Sequence, residues 1–351
     1  MGLKDFKVKV FKENILHNYH YLKELRNKDI IAVVKANAYG HGIENVVNFL
    51  SDAGCKYFAV ARECEAEKIL KLKIANINII ILETIDELEF IKNNKNVQMV
   101  VNSLKELKDL LKNGISTEQL HLKLDFGFGR NGVIEEDFDD LKKLVLEMNL
   151  NFKGFCTHVF AADYDDMILI EERFSQMLME LGKERFEIIH IQNSAGVISI
   201  EGKNCTHIRC GTILFGLQEI GYYDPCIKRA FKLTGKILGV KSLKDLKYIG
   251  YEKKENIEIG KYKKIAKIRL GYGDGFSKRS EGIMSIINNK KFKIVHISMD
   301  SSFILVDDSV KEEDFVEIFH DLEESIKHLK VPHYEFLSCI NDRIKRELIW
   351  L

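Results

Sequence analysis

The sequence predicts an α/β chain. An N-terminal (β/α)8 barrel of the TIM type over residues 12–235 precedes a C-terminal, mostly antiparallel β domain over residues 236–351. Three observations carry this prediction. Eight short β-branched runs occupy the first two thirds of the chain. Stretches rich in Glu, Lys and Leu separate most of them. From about residue 236 the texture changes to strands joined by turns alone.

The eight runs are IIAVV (30–34), YFAVA (57–61), NIIIL (78–82), VQMVV (97–101), LHLKLDF (120–126), FKGFCTHV (152–159), FEIIHI (186–191) and HIRCGTIL (207–214). Most are continuously apolar, the mark of parallel strands buried on both faces. Helix-like stretches such as ECEAEKILKL and SLKELKDLLKNG lie between them. A doubly wound sheet would accommodate such units, but eight of them favour a closed barrel. After the seventh run only SAGVISIEG is available, so the helix there is expected to be short. Beyond the barrel, KLTGKILGVKSL, KKIAKIRLGY, GIMSIINNKKFKIVHIS and SFILVDD read as strands joined by Gly, Asn and Asp turns. The next helical stretch is DLEESIKHLK. The N-terminal DFKVKVF stands apart from the barrel units, and strand 1–11 is expected to join the second domain.

Lys plus Arg equals Asp plus Glu at 53 each. A net charge of zero gives no electrostatic reason to expect nucleic acid or an anionic membrane as partner. Seven cysteines, an odd number with no CxxC spacing, argue against a disulfide framework and a thiolate metal site. No metal is expected. The segment MGLKDFKVKV lacks the apolar core of a signal peptide. No apolar run approaches the roughly 20 residues that a membrane helix needs. The expectation is a soluble, cytoplasmic protein.

The chemistry begins in AVVKANAYGHG (32–42), where Lys35 ends the first apolar run. In a barrel, the C-terminal ends of the strands form the active-site rim. A lysine there can lose its charge through desolvation and become a nucleophilic amine, suited to a Schiff base with an aldehyde cofactor. The competing interpretation is a lysine that snorkels from the barrel mouth. Lys123 and Arg130 bracket the end of the fifth strand in HLKLDFGFGRNG. His158 ends the sixth in THVFAAD, and His190, Asn193 and Ser194 end the seventh in HIQNSAG. Arg209 and Gly211 lie on the eighth in IRCGT. Any one of these histidines alone reads as a satisfied core residue. Together, the polar strand ends converge only if the chain closes into a barrel. Ser194 is placed to start a helix and Gly211 to follow a strand, where backbone N–H groups suit a phosphate.

The segments AVVKANAYGHG, KLDFGFGRNG, CTHVFAADYDD, HIQNSAGVI, IRCGTILFG, GYGDGF and SMD resemble the signature segments of alanine racemase. That family, of pyridoxal-phosphate fold type III, joins a (β/α)8 barrel to a C-terminal β domain. The resemblance runs from about residue 5 to Arg346. VKANAYGHG alone is shared with other barrel-type pyridoxal-phosphate proteins; the later segments give it specificity. The resemblance implies an isomerase that interconverts L-alanine and D-alanine with pyridoxal 5'-phosphate. It implies a two-base Lys/Tyr mechanism, a cytoplasmic homodimer and a supply of D-alanine for peptidoglycan.

Carried over by motif, Lys35 is similar to the lysine that holds the cofactor and acts as base on the D-face of the substrate Cα. Tyr39, Ser194, Gly211, Thr212 and Tyr334 match positions that hold the phosphate. Arg209 matches the arginine facing the pyridine nitrogen. A guanidinium stays charged, so it would leave that nitrogen unprotonated, weaken the electron sink and limit side reactions. His158 matches a residue packed along the ring face. Arg130 resembles the arginine that bonds the cofactor's phenolic oxygen and helps bind substrate. Lys123 sits where some members carry a carbamylated lysine, which would orient Arg130. The second base matches Tyr251 in YIGYEKKEN, with Tyr248 close by; racemisation needs bases on opposite faces of a planar carbanion. Met299 matches the position whose N–H meets the substrate carboxylate. The resemblance places Tyr251 and Met299 across a dimer interface. Tyr334 is also similar to a tyrosine near the substrate methyl, which implies that alanine is preferred.

The sequence departs from the family pattern at Glu252, usually glycine, at Cys210, usually proline, and at Phe215, usually tyrosine. RIKR (343–346) also replaces RVPR. Glu252 is the departure that bears on chemistry, because it adds a negative charge beside Tyr251. Three rivals remain at this stage. A racemase of the same family acting on serine or lysine would carry the same segments. A basic amino acid decarboxylase of the same barrel class would need a cysteine-containing acid-donor motif, and Cys339 in YEFLSCIND lacks an adjacent acidic run. A cofactor-binding homeostasis protein would need only the barrel.

Overall fold

The computed structural model describes residues 5–160, 164–218 and 221–350. Residues 161–163, within the CTHVFAADYDD segment, lie outside the described residues. The chain divides into two compact units. One contains residues 13–38 and 42–229; the other contains residues 1–12, 39–41 and 230–351.

In the first unit the strands Asp29–Val33, Tyr57–Val60, Asn78–Ile81, Val97–Val101, Leu120–Asp125, Phe152–Cys156, Phe186–His190 and His207–Cys210 lie side by side in chain order. Each pairs in parallel with the next up to Phe186–His190, and His207–Cys210 pairs in parallel with Asp29–Val33, with Arg209 opposite Ile31. At the remaining seam the Thr206 N–H donates to Ile189 O at 2.9 Å and the Arg209 N–H to Gln192 O at 3.3 Å. The result is a nearly closed parallel barrel. Its strands are covered on both faces: every residue of Val97–Val101 and Leu120–Asp125 is buried, the polar Gln98, His121, Lys123 and Asp125 included. The outer helices bury one face each. Leu104, Leu107 and Leu110 of Leu104–Lys112 recur at helical spacing on its buried side. That helix starts in a reciprocal cap, with Ser103 Oγ accepting from Glu106 N and Glu106 Oε2 accepting from Asn102 N.

The strands stop earlier than their apolar runs. The sixth ends at Cys156, before Thr157 and His158. The eighth ends at Cys210, because Gly211 starts a 3-10 turn over Thr212–Phe215, with the Leu214 N–H donating back to Gly211 O. The helix after the seventh strand, Ser194–Ser199, has six residues.

The second unit is an antiparallel sheet. Its order is Lys264–Ile268, Ser302–Val306, Lys290–Ile297, Met284–Ile287, Phe315–Ile318, Phe231–Ser242, Lys7–Phe11 and Lys345–Ile349. The long strand Phe231–Ser242 bends at a register shift between Ile237 and Gly239, and its far half pairs with Lys264–Ile268, closing that part of the sheet into a ring. Lys7–Phe11 lies antiparallel to Phe231–Ser242 and parallel to Lys345–Ile349. Beyond the expected helix Leu322–Leu329, a second one, His333–Ser338, starts after Pro332 and stacks Phe336 on Phe319 at 4.6 Å between centroids.

Gly154 on the sixth strand is fixed by packing. A Cβ there would overlap the imidazole of buried His121 on the fifth strand. Gly154→Ala is expected to lower the unfolding free energy by about 1–3 kcal/mol through overpacking. Gly239→Ala, where a Cβ meets no atom within 4 Å, is the control. Denaturant melts of both variants check this.

Candidate active site

Lys35 is held by an unusual piece of backbone. The first strand ends at Val33, and Lys35 opens a turn in which Ala36, Asn37, Ala38 and Tyr39 have φ of 52°, 57°, 53° and 50°. Left-handed helical geometry costs L-residues roughly 1–2 kcal/mol each, so this turn persists only because its surroundings over-determine it. Glu65 accepts from Ala36 N through Oε1 at 2.6 Å and from Ala61 N through Oε2 at 2.8 Å, tying together the ends of the first two strands. Asn37 Oδ1 accepts from Ile43 N at 2.8 Å, and the Ala38 N–H donates to Val34 O. Sequence reasoning missed Glu65. Its signal was its place three residues after Arg62, at a helix start.

Four cations share the rim. Burial lowers the Lys35 amine below the ordinary lysine value, and the positive charges of Arg130 and Arg209 lower it further, against Glu83 and Glu65. Burial likewise pushes Lys123 down to about 8, with Arg130 and Arg209 again acting on it. His158 is pushed down to about 2 by burial, then by Arg209, Arg130, Lys123 and Lys35. That imidazole is therefore neutral. Arg130 lies over the Phe128 ring at 4.8 Å, and Phe128 lies 5.4 Å from the His158 ring. Asp125 shapes the Arg130 loop by accepting from the N–H groups of Phe128, Gly129 and Arg130 at 2.7, 2.9 and 3.2 Å. Among the described residues, no carboxylate forms an ion pair with Lys35, Lys123, Arg130 or Arg209.

Arg209 is buried on the eighth strand. Nη1 donates to His190 Nδ1 at 2.6 Å and to His190 O at 2.8 Å. Nη2 donates to Thr157 O at 2.8 Å and Ile191 O at 3.1 Å. The described hydrogen bonds thus engage only its two Nη groups.

Near it, Asn193 caps Ser194–Ser199 by accepting from Gly196 N at 2.8 Å, and its Nδ2 donates to Val159 O. Ser194 Oγ accepts from Ile213 N at 3.3 Å, which joins the seventh and eighth strand ends. The Thr212 hydroxyl beside them is buried and has no hydrogen-bond partner. A buried unpartnered hydroxyl at these strand ends, and excess positive charge on the rim, suit an anionic ligand. These residues therefore fit a phosphorylated aldehyde cofactor: an amine of lowered pKa, free donors, and excess positive charge.

The remaining sequence-predicted residues lie in the other unit. Tyr251 is 88% exposed at the tip of a two-residue turn between Tyr248–Ile249 and Glu252–Lys253. Its backbone N–H donates to His296 Nε2 at 3.4 Å. Tyr248 sits on the strand itself, paired with Lys253. The Glu252 carboxylate accepts from Asn256 Nδ2. Met299 is exposed in the loop before Ser302–Val306, where its carbonyl accepts from Gly273 N at 2.8 Å. Side chains on Gly271 and Gly273 would crowd that carbonyl, which explains the glycines of GYGDGF. Tyr334 is on His333–Ser338 and exposed, and Tyr39 belongs to the segment 39–41 of this unit. Cys210 and Phe215, two of the departures, are fully buried.

The chain matches the family model for the alanine racemase N-terminal domain over residues 10–219 and that for the alanine racemase C-terminal domain over residues 230–348. It is 29% identical to an alanine racemase of Fusobacterium nucleatum, covering 97% of this chain and 99% of that one. It is 30% identical to alanine racemase 1 of Caldanaerobacter subterraneus, covering 88% and 83%. Among solved structures, an alanine racemase of Clostridium difficile superposes with a TM-score of 0.81 at 26% identity, covering 99% of this chain and 96% of that one. One from Bartonella henselae, solved with covalently bound pyridoxal phosphate, superposes at 0.82 and 22% identity over 99% of each chain.

Burial and the positive charges around Lys35 make its amine reactive at lower pH than an ordinary lysine. In cofactor-free protein, trace acetylation of Lys35 read by mass spectrometry is expected to show a midpoint below 10.5. Arg130→Ala removes a positive neighbour and is expected to raise that midpoint. A Lys35 midpoint at 10.5 or above would contradict the electrostatic account.

Proposed function

The chain belongs to the alanine racemase family, and from that premise we propose that it interconverts L-alanine and D-alanine with pyridoxal 5'-phosphate as cofactor. The observation that carries this proposal is the group of Lys35, Lys123, Arg130 and Arg209 with no ion-pairing carboxylate among the described residues, joined by the unpartnered buried Thr212 hydroxyl at the end of the eighth strand. Lys35 would hold the cofactor covalently. Tyr39, Ser194, Gly211, Thr212 and Tyr334 would hold its phosphate, His158 would lie along its ring, and Arg130 would bond its ring oxygen. Arg209 would face its ring nitrogen, since its described hydrogen bonds leave Nε free to donate. Lys123, pushed down to about 8, has the neutral fraction that carbamylation requires.

Pyridoxal phosphate, when bound, supplies an electron sink that acidifies the Cα–H of an amino acid. The rest is work for this chain's own side chains. The Lys35 amine, its proton affinity lowered by burial and by its cationic neighbours, takes or returns the Cα proton on the D-face. The Tyr251 hydroxyl does so on the opposite face. Arg130 and the Met299 N–H orient the substrate carboxylate, and the Tyr334 ring limits room beyond the methyl. The exposure of Tyr251 and Met299, 88% and 54%, supports a homodimer in which both complete the partner's site. Supply of D-alanine to peptidoglycan from the cytoplasm completes the proposal. No helix among the described residues is long and apolar enough to cross a membrane.

Incubation with single amino acids followed by chiral chromatography tests the activity. Alanine is expected to be converted faster than serine or lysine; the reverse order would overturn the substrate assignment. Tyr251→Phe is expected to keep the cofactor's absorption band and lose roughly 10²- to 10⁴-fold in turnover. If Tyr248→Phe is the damaging change instead, the second base is misassigned. Mixing Lys35→Ala with Tyr251→Phe protein should restore activity through hybrid dimers. Subunit exchange without recovery would show that each chain completes its own site.

A further inference from the structure

A chain of hydrogen bonds runs from Arg209 through the barrel core to its floor. Arg209 Nη1 lies 2.6 Å from His190 Nδ1, and His190 Nε2 lies 3.0 Å from His121 Nδ1. His121 Nε2 lies 2.8 Å from Gln98 Oε1, and Gln98 Nε2 donates to Asn78 Oδ1 at 3.3 Å. Arg209, His190, His121 and Gln98 are all buried, and each comes from a different strand. Asn78 and Gln98 line a cavity of about 700 Å³ at the far end from Lys35.

The chemistry of the two ends fixes every proton between them. A guanidinium can only donate, so His190 Nδ1 must offer a lone pair. A neutral His190 then carries its proton on Nε2 and donates it to His121 Nδ1. His121 in turn carries its proton on Nε2, where it meets the Gln98 carbonyl oxygen, which can only accept. Asn78 holds the Gln98 amide in that sense by taking its N–H. Burial supports the neutral forms, pushing His121 down to about 3 and His190 well below the ordinary histidine value. The absent side chain at Gly154 gives His121 the room to sit in line.

We propose that Gln98 and His121 are positioning residues: they polarise His190 toward Arg209 and so hold the guanidinium in one orientation at the mouth of the barrel. Hydrogen bonds in such a chain strengthen one another, so the acceptor at the floor is felt at the rim. The functional weight of this relay rests on the reading of Arg209 as the group that faces the cofactor's ring nitrogen.

The test is nitrogen-15 NMR of the histidine side chains in the purified protein. His190 and His121 are expected as neutral Nε2–H tautomers that do not titrate between about pH 5 and 8, where an ordinary histidine does. The His190 Nε2 proton is expected to move upfield in Gln98→Leu and in His121→Phe, and further downfield in Gln98→Glu, which offers a stronger acceptor. Turnover of alanine should fall about tenfold in Gln98→Leu with little change in KM, about the loss of one buried hydrogen bond, and return in Gln98→Glu. An Nδ1–H tautomer at His190 in the parent overturns the proposal even if no variant folds. So does a His190 proton that stays unmoved across the series. Failure of the underlying reading would look different: the tautomers would stand as described, while the parent protein would not racemise alanine.

Discussion

Arg209 is a permanent cation in a barrel whose described residues offer it no ion-pairing carboxylate. A buried charge without a partner is among the most expensive things a fold can hold, and four carbonyl and imidazole acceptors only partly offset it. Much of the neighbourhood follows from that single placement. Burial first, and its charge after that, hold His158 neutral and lower the proton affinity of Lys35 and Lys123. The carbonyls of Thr157, His190 and Ile191 turn toward it, so the sixth and seventh strand ends are drawn to the eighth. What results is a rim with excess positive charge, suited to an anion from outside.

A second strained element serves the same end. The left-handed turn after Lys35 costs backbone energy at four consecutive residues, and Glu65 and Asn37 offset part of it with directed hydrogen bonds. The turn lets the chain leave the strand abruptly, so the lysine stays at the rim. Strain and unpaired charge thus sit together at the strand ends, above strands whose interior is apolar apart from buried groups such as His190, His121 and Gln98.

The barrel was legible because its strands are continuous apolar runs whose spacing leaves room for one helix each. Eight such units have few other solutions. The antiparallel unit was legible from its turn residues. Strand ends were not: Thr157 and Gly211 continue their apolar runs in composition, yet their backbones turn away to build the site. Lys35, Lys123, Arg130, His158, Ser194 and Arg209 could be found because a charged or polar residue at the end of an apolar run is conspicuous. Glu65, Gln98 and His121 were missed. Glu65 sits in a helix of ordinary polar composition, and Gln98 and His121 alternate with apolar residues inside strands, so only closure of the barrel brings them into line. The helix carrying Tyr334 was missed because six residues after a proline carry almost no periodic signal.

The central claim is that Lys35 is the amine that the rim has been built to discharge and to join to an aldehyde. Borohydride reduction of the purified protein, followed by proteolysis and mass spectrometry, tests it most directly. The account predicts a pyridoxyl group on the peptide containing Lys35 and on no other. A modified lysine elsewhere, Lys123 included, or no modified peptide from cofactor-saturated protein, would contradict it.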